Sequence, residues 1–382
     1  MHIVVPARHS RSPLPDAPVP LVDLRPLLRL AGKSIRGHLD EMRRAGQYIL
    51  GPQVSLFEQE LASAFGARRA IGVGTGTSAL ELSLRSGLAA KPGAEVIVPA
   101  LTSLFTAQAV LASGSRLRIA DIDPDTLLLT PETARQAWTP SAAAVIAVHL
   151  YGRPCALDPL SQLCREHSAV LIQDACQAHG ASHLGRPLTA YSPYVCYSFY
   201  PTKNLGCLGD GGAVLTNSTT VERRLRLLRD GGRRGGQVAA VPAVNSRLDE
   251  MHACYLRALL PHLDSANQHR RLVAVRYRES LADTPGVRVL PESAESVHHL
   301  FVIRVRRRTA LRAHLAAHGI QTGIHYPVPL HRHPAFHPFV PSGVSLPAAE
   351  RACREILSLP IGAHVRLASA ERIASLIRRF YT

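Results

Sequence analysis

Lysine is nearly missing from this chain. Among 382 residues there are three, Lys33, Lys91 and Lys203, against 41 arginines. Arginine keeps its proton and cannot act as an amine nucleophile, whereas lysine can. Any chemistry that needs an amine side chain therefore falls on these three positions. Aromatic residues are also scarce, at 5% with a single Trp, which leaves no stacking platform for single-stranded nucleic acid. Acidic residues number 28 against 44 basic ones, a formal charge of +16. The arginines are spread along the chain and accompany no nucleic-acid-reading motif. We therefore expect no nucleic-acid partner and read the charge as suited to an anionic substrate.

No apolar run approaches the roughly 18 residues that span a bilayer, so no membrane partner is expected. Seven cysteines occur without any CxxC pair, which indicates neither a disulfide framework nor a metal site and makes the cytoplasm the expected compartment. The first 20 residues hold five prolines and no long apolar stretch. They are unlike a signal peptide, and we expect a flexible arm over 1–20.

What the chain does have is alternation. Short apolar runs suited to buried strands lie at 69–73, 94–99, 116–122, 143–150, 169–174, 194–199 and 212–216. Helical stretches at 77–88, 104–113, 131–138 and 156–167 separate the earlier ones. This predicts a mostly parallel seven-stranded sheet flanked by helices, a large α/β domain over 21–250. A long helical segment near 248–282, a strand in 298–306 and helices near 308–318 and 368–380 predict a smaller α+β domain over 251–382.

Ligands of such sheets bind beyond the carboxyl ends of the strands, and three motifs fall there. In "IGVGTGTSALEL" a glycine-rich turn joins a strand to a helix and can offer backbone amides to a phosphate. Thr77 and Ser78 either add hydroxyl donors or cap the helix. In "VLIQDACQAHG" Asp174 ends a strand, where it either serves a site or caps a helix, with Gln177 and His179 close behind. His179 reads as a buried structural histidine. In "YSFYPTKNLGCLGDGGAV" Lys203 sits between a proline turn and a run of glycines. A lysine held out of water loses proton affinity and becomes a nucleophilic amine. An anion cradle, a strand-end carboxylate and a loop amine together meet the needs of pyridoxal 5'-phosphate.

These motifs, with "LGPQVSLFEQELA", "VPALTSLFTAQAV", "DIDPDTLLLTPE" and "NSRLDEMHA", resemble the DegT/DnrJ/EryC1/StrS family of sugar aminotransferases, within the fold-type I pyridoxal-phosphate enzymes, over residues 20 to 380. The resemblance implies that Lys203 forms a Schiff base with the cofactor and carries protons, and that Asp174 pairs with the pyridine nitrogen. It implies Gln177 against the ring and Gly76, Thr77 and Ser198 at the phosphate. Asn245 would reach the phosphate of a neighbouring subunit in a homodimer with a shared active site. "GIHYPVPLH" resembles the family's substrate-side loop, which would bring His325 and Tyr326 to the sugar; from the residues alone, a structural turn with a buried histidine is the alternative. Two positions depart from the family pattern. Ser103 stands where relatives carry a ring-stacking aromatic, so either Phe105 takes that role or the ring face is packed differently. Ile361–Gly362 stand where many relatives have a histidine.

The resulting expectation is an aminotransferase that moves an amino group from glutamate or glutamine to a nucleotide-linked keto-sugar. A dTDP-linked 3-keto-6-deoxyhexose is favoured over a 4-keto sugar or a keto-cyclitol. A dehydratase branch of the family carries histidine at the lysine position, so Lys203 argues against that reaction. A non-catalytic regulator on the same fold is the more distant reading.

Overall fold

The computed structural model describes residues 17–382 except 90, 92, 235, 236 and 342; most of the expected arm lies outside the described residues. Two helices open the fold, α1 (Arg25–Ala45) and α2 (Pro52–Ala64). The residue before α2 is Gly51, which has no side chain to cap it. Glu250 supplies the cap from 197 residues away, accepting from Gln53 N and Val54 N at 2.9 Å each.

The strands that follow are β1 (Arg69–Val73), β2 (Glu95–Pro99), β3 (Arg116–Ala120), β4 (Ala142–Val148) and β5 (Val170–Asp174), a small hairpin β6 (Ser182–His183) and β7 (Arg186–Pro187), then β8 (Val195–Ser198) and β9 (Gly212–Thr216). Between and after them lie α3 (Gly76–Gly87), α4 (Leu104–Ala112), α5 (Pro131–Ala137), α6 (Leu157–Glu166) and α7 (Thr219–Arg229). Seven strands form one sheet in the order β1-β9-β8-β5-β4-β2-β3. β9 pairs antiparallel with both neighbours, and the remaining pairs are parallel. Six of the seven strands therefore end on one edge. β4, "AAAVIAV", is buried at every position, as a central strand covered on both faces must be.

The helical segment expected over 248–282 is broken. α8 (Glu250–Leu259) gives way to a 3-10 turn at Leu260–His262 containing Pro261, and α9 (Leu263–Leu281) begins after it. Proline has no N–H to continue the ladder. α8 packs into the same hydrophobic core as the seven-stranded sheet. A second core gathers Val273, Tyr277 and Leu281 of α9. Also in it are residues of β10 (Val287–Val289), β11 (Phe301–Val305), α10 (Arg308–Ala317), β12 (Ile356–Leu359) and α12 (Leu367–Tyr381), whereas α11 (Pro347–Glu355) buries Ala349, Ala352 and Cys353 in the first core. β10, β11 and β12 form an antiparallel sheet. Packing thus changes partner within α9 rather than at residue 250.

The last residues of the expected arm are held in place. Val19 is buried in the second core and pairs beside Ile320, donating to Gly319 O at 2.9 Å and accepting from Gln321 N at 3.0 Å. Among the described residues no helix is long and apolar enough to cross a membrane.

Candidate active site

The carboxyl edge of the sheet opens onto a cleft of about 670 Å³. Gly76, Thr77, Phe105, Asp174, Gln177, Ser198 and Lys203 all line it, and the smaller sheet's side contributes His325 and Tyr326. Asn245 does not line it; that residue is exposed on the surface, bridged to Asp230.

At one end lies the N-terminus of α3. Thr75 caps it, its Oγ1 accepting from Ser78 N at 2.9 Å and contacting Ser78 Oγ at 3.1 Å. The cap is therefore Thr75, not Thr77 or Ser78. The N–H groups of Gly76 and Thr77, in the first turn, have no intrahelical acceptor, and the helix end favours an anion there. Ser198 at the end of β8 crowds this turn. A Cβ built on Gly76 would stand 2.6 Å from Ser198 Cβ and 2.9 Å from Cys176 Sγ. From behind, Gly72 N donates to Glu58 Oε1 at 2.8 Å and Gly74 N to Ser246 Oγ at 3.0 Å.

In the centre, Asp174 is 6% exposed, and its carboxylate accepts from Thr106 Oγ1 at 3.1 Å and Cys176 N at 3.2 Å. No helix follows it, so the capping alternative falls and the carboxylate faces the cleft. Lys203 is fixed through its backbone, whose N–H donates to Tyr200 O at 2.9 Å. Its amine has no acceptor among the described residues. Burial lowers its proton affinity, with Cys176 and Asp174 opposing. His179 is fully buried; its Nε2 lies 2.8 Å from Ser198 O and burial pulls its pKa down to about 3. That suits a neutral packing histidine.

Opposite Lys203, Gln177 Oε1 accepts from Tyr151 N at 2.7 Å and its Nε2 donates to the Tyr326 hydroxyl at 3.1 Å. Tyr151 donates through its own hydroxyl to His325 O at 2.5 Å, and His325 Nδ1 lies 2.9 Å from Ser358 Oγ. Burial pushes Tyr326 up to about 12, opposed in part by the hydrogen bond from Gln177. Ser103 caps α4. Phe105 is 58% exposed and stacks on no other ring among the described residues. Past Ile361–Gly362, His364 lines the cleft. No group of three or more His, Cys, Asp or Glu among the described residues is placed to hold a metal ion.

The pattern of the DegT/DnrJ/EryC1/StrS aminotransferase family matches residues 30–378. The chain belongs to that family. This aminotransferase is 42% identical over 365 residues, 95% of its own length and 96% of the relative's, to the dTDP-3-amino-3,4,6-trideoxy-alpha-D-glucose transaminase of Streptomyces venezuelae. The structure of S. venezuelae DesV in complex with a ketimine intermediate matches with a TM-score of 0.92 at 41% identity, covering 95% of this chain and 98% of that one. NtdA from Bacillus subtilis, solved with bound cofactor PMP, matches at 0.88 and 28% identity over 94% of this chain and 84% of that one.

Three cleft residues of the aminotransferase, Cys176, Arg270 and His299, escaped the sequence reading, as did Tyr151, which holds Gln177 from outside the cleft. Tyr151 carried one usable signal, the "HLYG" turn, where it adopts φ +63°. The close approach at the anion end makes a prediction. Gly76→Ala should destabilise the fold by about 1–3 kcal/mol, because the new methyl meets Ser198 on a sheet strand that cannot yield. Denaturant unfolding would measure this, and an unchanged midpoint would show the turn to be loosely packed.

Proposed function

We propose that this cleft binds pyridoxal 5'-phosphate and transfers an amino group from glutamate or glutamine to a nucleotide-linked keto-sugar. The observation that carries the reading is Lys203, the only lysine in the cleft, with an unpartnered amine whose proton affinity burial lowers. The other residues fit the same group. Gly76, Thr77 and Ser198 form a cradle that one extra methyl would fill, suited to the phosphate. Asp174 is a buried carboxylate suited to a protonated pyridine nitrogen. Gln177 and Phe105 line the space between.

When bound, the cofactor supplies an aldehyde and an electron sink. Lys203 Nζ, as the free amine, would hold the cofactor through its aldehyde; once displaced by the donor's amine, the same nitrogen would carry the proton off the donor's α-carbon to the cofactor, and in the second half from the cofactor to the sugar carbon. Asp174 would hold a proton on the bound cofactor's ring nitrogen. Tyr326, held by Gln177, and His325, held by Ser358, border the side of the cleft open to the sugar. The donor leaves as its keto acid and the sugar as its amine. A relative named for a 3-amino sugar supports amination at C3 of a dTDP-linked 3-keto-6-deoxyhexose. Asn245, exposed outside its own cleft, supports a homodimer in which it completes the partner's phosphate site.

The test is the absorbance of purified protein with pyridoxal phosphate, before and after glutamate or glutamine, followed by a keto-sugar screen. A visible band that a donor bleaches and a dTDP-3-keto sugar restores is expected. No band would refute the cofactor, and conversion of 4-keto but never 3-keto sugars would refute the C3 assignment.

A further inference from the structure

Arg270 projects from α9 into the wall of the cleft and is the sole arginine among the described residues that line it. Its Nη1 is engaged by backbone, donating to the carbonyls of His298, His299 and Ile361 at 3.2 Å each. Nε and Nη2 have no acceptor among the described residues. Nη2 lies beside Gly362, 3.4 Å from where a Cβ would stand, and Gly362 lines the same cleft.

Two other enclosed arginines have counter-ions, Arg229 with Glu58 and Arg304 with Glu355, whereas Arg153, buried away from this cleft, has none among the described residues. Arg270 has no carboxylate within ion-pair distance among the described residues, and burial pulls its pKa down to about 10. The cleft's own acids do not serve it. Asp23 is taken by Arg25, Asp174 by Thr106 and Cys176, and Asp210 is exposed at the rim. Lys203, His299 and His325 share the cleft with it. This corner is short of negative charge, and a guanidinium with Nε and Nη2 free presents the two parallel donors that match a carboxylate.

We infer that Arg270 binds a carboxylate of the amino donor through Nε and Nη2, an assignment that rests on the reading of the cleft as the transamination site. Lys203 cannot take this role, because its amine carries the covalent and proton-transfer chemistry. The backbone bonds from Nη1 orient the fork by tying α9 to the segments at 298–299 and 361.

The experiment uses the full-length, cofactor-loaded enzyme and Arg270→Gln, with Arg270→Lys as a rescue. The expected result is an intact visible band in Arg270→Gln with a glutamate KM raised about tenfold to a hundredfold. The keto-sugar KM should be unchanged, with partial recovery in Arg270→Lys. Glutarate, a dicarboxylate without an amine, should perturb the wild-type band and leave that of Arg270→Gln unaffected. Unchanged glutamate KM and glutarate affinity in Arg270→Gln would overturn the assignment. Should that variant fail to load cofactor, the wild type decides. Propylamine, which is glutamate without either carboxylate, should bleach the band at least tenfold less efficiently, and equal efficiency would overturn the assignment. A wild type with no band at all would remove the transamination reading itself and this assignment with it.

Discussion

Replacing Lys203 by arginine is expected to stop turnover while leaving the fold in place. The substitution keeps the positive charge and nearly the length of the side chain, and removes only the capacity to become a free amine. The Lys203 amine makes no hydrogen bond to the described residues, and the backbone bond to Tyr200 O does not depend on the side chain. Stability should therefore change little. Catalysis should fall by about four orders of magnitude or more, the scale seen when a nucleophile that also carries protons is lost. The pH dependence follows from the same environment. Burial shifts the lysine towards its neutral form, so cofactor capture by the wild type should rise with pH and level off below the usual lysine range. A multiple-turnover assay beside a thermal unfolding curve checks both halves. Repeated turnover by Lys203→Arg would sink the assignment of Lys203, and an unfolded variant would show that the loop needs the lysine for packing.

Strand placement was legible because a buried parallel sheet writes itself as continuous apolar runs. β1 and β9 fall on their expected residues, and the other five strands of the large sheet lie within two residues of expectation at each end. Lys203 and Asp174 were legible for a different reason. Each is a polar residue set at the end of such a run, and lysine is rare enough here to draw attention. Ser103 was seen as a departure, but Gln177 and Tyr326, whose side chains bond at 3.1 Å, lie 149 positions apart, and no local pattern announces that contact. Arg270 was hidden more thoroughly. It is one of 41 arginines and sits in an ordinary helical stretch, "NQHRRLVAV". Only tertiary packing distinguishes it from Arg271 beside it. The helix break at Pro261 was written plainly in the sequence, and the continuous apolar periodicity on either side masked it.

The pair Glu58 and Arg229 belongs to the same hidden class, and it carries the second large prediction. Glu58 lies in α2 and Arg229 at the end of α7, each 6% exposed. Glu58 Oε1 takes a bond from Arg229 Nη1 and another from Gly72 N at 2.8 Å, while its Oε2 accepts from Arg226 at 2.9 Å. Arg229 Nη1 also donates to Gly72 O at 2.8 Å. The network thus grips both polar groups of Gly72, four residues before the turn at Gly76. Glu58→Ala would leave Arg229 charged and Gly72 N unbonded away from water, at a cost of about 3–5 kcal/mol. Cofactor affinity should weaken with it, because the strand that presents Gly76 and Thr77 loses its anchor. Replacing both partners with methionine removes the buried Glu58–Arg229 charge pair and leaves Gly72 unbonded, so Glu58→Met with Arg229→Met should recover part of the lost stability. Denaturant unfolding of the three proteins, with and without pyridoxal phosphate, measures the coupling. A loss below about 1 kcal/mol in Glu58→Ala would place the pair with ordinary surface ion pairs, and would mean that the anion turn is held by Ser246 and the α3 cap alone.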